Sequence, residues 1–593
     1  MEKEKLRSEI KDCFKWDADK LVDNFDATEK EVLSVLDELL KCKGHIMDNA
    51  DSLLKFYKLD EKLNRKADYL FMYAHLSSDV DTTNNDYRIL KMRTEKLMET
   101  ISDKLSFVVP ELLENDFSKV LEFIKDNKDL AKYKFDLEKV FRYKEHTLSK
   151  KEEEIVTKAT NAFGTGDEVF NNIDNTDIYL GTINVDGEEV ELTNSNYIKY
   201  MNHKDCNVRI EAFNKMYTYF KNRINTIAAC LKGNIKENFF VSDVKKYSSP
   251  LEMSLYADNI DISVYKNLIE VTHDNLDKLY KYMAIRKKML NLDEMHMYDI
   301  YLDLGTEEPK DIPFEEGKKI VFEALTPLGD EYIKDLNKAF DEHWIDIYPN
   351  KGKKSGAYSW GCYDTKPYLL LNYNNTIDSV STMAHELGHS MHSYYSKTLD
   401  YTYHAYPIFL AEIASTVNEV LLNDYLYKHA KTKEEKILYT ADILDKVRTT
   451  IYRQTQFAEF EMLMHDKEAN GIPLTAQEFS NTYYDLNKLY YGDNVVSDDL
   501  IKYEWARIPH FYTSFYVYKY ATGLTSALAI ASEILKGNTE VRDKYLEFLH
   551  SGGSDYPLNI LKNTGVDIEK KETLQKAFDF FDKKLNDLEE LTK

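Results

Sequence analysis

The stretch His385-Glu386-Leu387-Gly388-His389 constrains this chain more than any other. Two imidazoles four residues apart share one face of an α-helix, one turn from each other, and can there grip a single metal ion. A glutamate beside the first histidine can then act on a metal-bound water. The spacing works only on a helix, so a helix is predicted here. Thr376 or Asp378 can cap it, and Val380, Met383, Ala384, Leu387 and Met391 supply its apolar side. Gly388 costs such a helix about 1 kcal/mol against alanine. A glycine at that position implies close packing of another backbone.

The rest of the chain tolerates helices. Its 593 residues include only 20 glycines and 11 prolines, which suits a mainly α protein and not a turn-rich sandwich. Residues 1 to about 175 read as successive amphipathic helices, with Val32, Val35, Leu36 and Leu39 on the helical period. From Ile183 to Leu192 apolar and polar residues alternate around Asp186-Gly187, the signal of a β-hairpin with a type I′ turn. A boundary is placed near residue 195. It separates an N-terminal helical region, 1–195, ending in this hairpin, from a catalytic region, 196–593. Residues 349–356 form the clearest loop, and the apolar run from Pro367 to Tyr373 behind it reads as a short strand.

Several function classes are disfavoured. No apolar run of about 18 residues is present, so no membrane span is expected. The charged start, Met1 to Lys5, does not read as a secretory signal. Five scattered cysteines without a C-x-x-C fit a reducing cytoplasm, not a disulfide framework or a cysteine-rich zinc site. A net charge of −25 repels phosphate backbones, so nucleic acid is a poor partner.

A catalytic zinc takes three protein ligands and leaves one position for water. His385 and His389 supply two. After Glu386 the next glutamate is Glu412, on a second predicted helix that begins near Pro407. His392 lies two turns from His385, an awkward reach for the same ion, and reads as a packed or ligand-supporting histidine; His404 stays open as a rival ligand. Glu412 is taken as the third ligand and Glu386 as the general base. Glu419, seven residues after Glu412, shares its helical face. It is either a carboxylate that orients a ligand histidine or a solvated charge. Downstream, a run of phenols follows His510 and includes Tyr516, Tyr518 and Tyr520. Phenol and imidazole groups can donate to a tetrahedral oxyanion, although any one tyrosine among 44 can equally be packing.

Taken with Tyr247 to Glu252, Pro349 to Gly361, Pro367 to His392, Ile508 to Gly523 and Ser551 to Pro557, the motif resembles the oligoendopeptidase F group of thimet-type zinc metallopeptidases. The resemblance covers most of the chain. It implies an elongated, mainly helical fold around a deep channel, one zinc ion, and cleavage inside short peptides. It places the zinc ligands on His385, His389 and Glu412 and the base on Glu386. It places substrate-side groups on His510, Tyr516 and Tyr520, with Tyr518 a competitor because the interval after His510 carries one residue more than in thimet oligopeptidase. Many thermolysin-like sites carry an aspartate four residues after the ligand glutamate; here that position is Thr416, so support for the ligands must come from elsewhere. The resemblance further implies that the strand Tyr368 to Tyr373, or the loop Gly356 to Ser359, binds peptide backbone by strand addition. Two other readings stand beside the endopeptidase: an exopeptidase of related fold, and a peptide-binding scaffold without chemistry. Oligomeric state is not legible.

Overall fold

The computed structural model describes residues 5–305 and 310–593. It is about 70% helical, with two small sheets, and so mainly α as composition predicts. None of the described helices is long and apolar enough to cross a membrane. The chain forms two compact units, each assembled from separated segments.

The first unit comprises Met1–Glu145, Pro309–Tyr425 and Ile530–Gly565. Its N-terminal part packs the helices Phe25–Leu40 and Ala50–Val80, capped by the side chains of Asn24 and Asn49. The predicted stripe Val32, Val35, Leu36 and Leu39 is buried there with Leu53, Leu63 and Leu70. A three-stranded sheet follows, ordered β3 (Ile345–Asp346), β5 (Tyr368–Leu370), β4 (Tyr358–Trp360). β5 is parallel to β3 and antiparallel to β4, with Ser359 opposite Leu369. Tyr368, Leu369 and Leu370 are all buried, as an uninterrupted apolar run requires of a strand covered on both faces. Trp16 packs edge-on against Tyr368, closing that core from the N-terminal side. The strand expected over 367–373 is therefore real but central. Both its edges are taken, so it cannot accept a further strand; the edge strands of the sheet are β3 and β4.

The second unit comprises His146–Glu308, Leu426–Ala529 and Val566–Lys593. The predicted hairpin is β1 (Thr182–Val185) and β2 (Glu188–Glu191), paired antiparallel. Its turn residues Asp186 and Gly187 have φ of +53° and +90°, the left-handed values that a type I′ turn needs at both positions. The boundary expected near residue 195 falls inside this unit. Its helices include Ile224–Val244 and Arg453–Ala469. Burial here includes charge: Arg209 meets Asp299 at 2.7 Å with both side chains 2% exposed, a pairing that two buried ions require.

Candidate metal centre

His385, Glu386 and His389 lie on the helix Ile377–Ser396, whose first turn is capped by the Thr376 hydroxyl accepting from the Ser379 N–H. Val380, Met383, Ala384, Leu387 and Met391 are all fully buried, so the opposite side of the helix carries the motif. Glu412 and Glu419 lie on the helix Ile408–His429. The two helices touch at Gly388, where a side chain would enter the backbone of Ser415. They are also joined by Asn418, whose amide donates to the carbonyl of Ala384 at 3.0 Å, one residue before the first motif histidine.

This approach brings three donor atoms together. The Nε2 atoms of His385 and His389 are 3.1 Å apart, and Glu412 Oε2 stands 3.6 Å from the first and 3.8 Å from the second. Ligand atoms about 2.0–2.2 Å from a common tetrahedral zinc lie about 3.3–3.5 Å from one another, so this triangle fits one ion. Among the described residues, these two imidazoles and one carboxylate make a group that could hold a metal ion. Neither His392 nor His404 joins it. His392 is fully buried, stacked on Tyr406 with ring centroids 3.7 Å apart, and burial pushes its pKa down to about 3. His404 hydrogen-bonds the Tyr401 carbonyl at 2.6 Å.

The support for the ligands also becomes visible. His385 Nδ1 donates to Glu419 Oε1 at 2.5 Å, which leaves Nε2 with its lone pair toward the triangle. Glu419 is therefore not a solvated charge: its side chain is 12% exposed and meets the first motif histidine. His389 is held by a hydrogen bond to the Ala411 backbone, and burial, aided by His385, pushes its pKa down to about 4, so it is neutral and able to ligate. Glu386 is buried beside the triangle. Burial drives its pKa up to about 7, opposed by His385 and reinforced by Glu412, and the Ser359 backbone hydrogen-bonds its carboxyl. Ser359 belongs to β4, and its hydroxyl also meets that of Ser390 on the motif helix at 2.8 Å. Strand β4 is thereby pinned to the motif helix.

In the second unit the structure gathers His510, Tyr516 and Tyr520. Tyr520 Oη lies 3.4 Å from His510 Nε2, and the two phenol rings meet edge-to-face at 5.5 Å. Burial lowers the pKa of His510, favouring the neutral imidazole. Tyr518 is fully buried against Tyr265 instead.

Residues 199–580 match the model of peptidase family M3, and residues 111–179 match that of oligopeptidase F. The chain belongs to peptidase family M3. This M3 peptidase is 39% identical over 590 residues to oligopeptidase PepF of Bacillus subtilis, covering 99% of this chain and 88% of the relative. It is also 39% identical to the group B oligopeptidase PepB of Streptococcus agalactiae, covering 99% and 98%. Among solved structures, oligoendopeptidase-F from Enterococcus faecium matches with a TM-score of 0.76 at 33% identity, over 96% of this chain and 98% of that one. A structure from Chlamydophila abortus matches with a TM-score of 0.92 at 37% identity, over 99% and 100%. The oligoendopeptidase F resemblance is thus confirmed, and the M3 peptidase is a metallopeptidase enzyme.

Three contributors escaped the sequence: Asn418, the Ala411 backbone and the Ser359 backbone. Asn418 lies six residues after Glu412, with no motif to mark it.

Proposed function

We propose that this peptidase is a zinc endopeptidase of short oligopeptides. The observation that carries the reading is the triangle of His385, His389 and Glu412 with the buried carboxyl of Glu386 beside it. Those three residues would hold one zinc ion. When bound, it supplies a water acidified towards neutral pH and a Lewis acid for the scissile carbonyl. Glu386 accepts the proton of the attacking water and passes it to the leaving amine. His510, Tyr516 and Tyr520 donate hydrogen bonds to the oxyanion. β4, an edge strand of the sheet, takes up the substrate backbone as an added strand, which gives affinity without demanding particular side chains. Partners are short peptides, with no role for nucleic acid or a membrane. Five free cysteines agree with a cytoplasmic location.

The test is digestion of a peptide mixture of graded lengths by the zinc-loaded chain, read by mass spectrometry. Cuts at interior bonds of short peptides are expected. Stepwise release of a terminal dipeptide would replace the reading with an exopeptidase, and no cleavage of any peptide would leave only a binding scaffold.

A further inference from the structure

Between His510 and Tyr516 the chain makes a turn that its own residues do not favour. Phe515, bulky and without special freedom, has φ +61°, in the left-handed region where such residues are outliers. Conformations of this kind persist only when the surroundings over-determine them, and they gather at functional sites. Here the surroundings do so. The Phe515 N–H donates to Glu461 Oε1 at 3.0 Å, and the Phe515 ring lies 4.5 Å from that of His465. Asn238 donates to the Ser514 hydroxyl at 2.7 Å, Ser254 to the Ser514 carbonyl at 3.3 Å, and Asn234 to the Tyr512 carbonyl at 3.3 Å. His465 is fixed in turn. Its Nδ1 donates to the Glu461 carbonyl at 2.8 Å, and its Nε2 accepts from Asn238 at 3.2 Å.

Glu461 is the unexpected member. It is 4% exposed, and its second oxygen, Oε2, is buried without a hydrogen-bond partner. A carboxyl in such a place is costly unless it performs a task. Burial raises its pKa to about 8, so it is a neutral acid near pH 7 whose Oε1 still accepts the Phe515 N–H. Phe515 immediately precedes Tyr516, so whatever fixes the direction of its peptide fixes where the next phenol stands.

We propose that Glu461, through its contact with the Phe515 N–H, is a positioning residue for Tyr516 in peptide hydrolysis. The inference rests on the reading of Tyr516 as an oxyanion donor. A displacement of about 1 Å at a reacting group can cost about a hundred-fold in rate, so a lost tether should be felt in turnover more than in binding.

The test compares kcat and KM of the zinc-loaded enzyme for wild type, E461Q, E461A, E461D, Y516F and the double variant E461A/Y516F. Glutamine retains the acceptor, so E461Q should stay within about two-fold of wild-type kcat. E461A, and E461D with its acceptor withdrawn by one methylene, should lose about ten-fold or more in kcat with KM little changed. E461A/Y516F should be no slower than Y516F, because both changes remove one interaction. Losses that multiply in the double variant, or wild-type kcat in E461A, would overturn the proposal; if E461A does not fold, E461D decides in its place. Wild-type kcat in Y516F would instead remove the reading of Tyr516, and the proposal with it.

Discussion

A β-carbon placed on Gly388 would stand 2.5 Å from the Cα of Ser415 and 2.7 Å from the Ala414 carbonyl oxygen. Both obstacles are backbone, so no side-chain rotation relieves them. Helix propensity favours alanine at this position by about 1 kcal/mol. Overlap of this size exceeds that gain, because overpacking a rigid contact typically costs about 1–3 kcal/mol and here the helices must part. Gly388→Ala is therefore expected to lower the melting temperature and to lose metal on dialysis. Metal content and thermal unfolding check it; a variant as stable and as metal-replete as the parent would show that the helices can give way.

The bond from His385 Nδ1 to Glu419 makes a separate prediction. Removing the carboxylate leaves the imidazole free to rotate and to change tautomer. Partners of this kind contribute about 10–100-fold in metal affinity. Glu419→Ala should weaken zinc binding by that order in a chelator competition, with the fold intact by circular dichroism. Unchanged affinity would mean the contact does not orient the ligand.

Much of this centre was legible in the sequence, and the division is physical. Helix faces repeat within a few residues, so the buried stripe from Val380 to Met391 and the Thr376 cap could be read locally. The hairpin was legible because Asp186-Gly187 adopts positive φ at low cost. The Glu412 helix could be guessed from spacing. What escaped were contacts between residues far apart in the chain. Asn418 and Ala384 are 34 positions apart, and the meeting of Ser359 with Glu386 depends on how a strand packs on a helix. The sheet was only half legible: the buried central strand is a short apolar run, while its neighbour Tyr358–Trp360 is half-buried with a serine at its centre and reads as part of a loop. His392 already read as a packed or ligand-supporting histidine, and the stacked Tyr406 ring is that packing; His404, left open as a rival ligand, bonds the Tyr401 carbonyl instead.

The phenols can be separated by substitution. Tyr516→Phe and Tyr520→Phe each remove one hydroxyl from a half-buried ring, and losing an oxyanion donor costs about 2.7–4 kcal/mol of barrier. A fall in kcat of about a hundred-fold or more is expected for at least one of them. Tyr518→Phe, in a fully buried ring, should leave kcat near wild type. The reverse pattern would transfer the role to Tyr518.

Glu461 also links stability to pH. Its folded pKa of about 8 lies above the ordinary glutamate value of 4.5. Between those values the unfolded chain has released the proton and the folded chain still holds it. Stability from this group is thus fully present below about 4.5 and is lost as pH rises toward about 8. Glutamine has no proton to lose. Glu461→Gln should therefore gain stability relative to wild type across that window and then level off. Urea unfolding of both proteins at several pH values measures the difference, and a gap that stays constant with pH would contradict it.

The most direct test of the zinc-hydrolase account is metal analysis paired with turnover for wild type, Glu386→Gln and Glu412→Gln after dialysis. The account predicts one zinc per chain in wild type and in Glu386→Gln, with kcat of the latter lowered about 10²–10⁴-fold, and zinc depleted in Glu412→Gln. Near-normal turnover in Glu386→Gln, or stoichiometric zinc in Glu412→Gln, would contradict it.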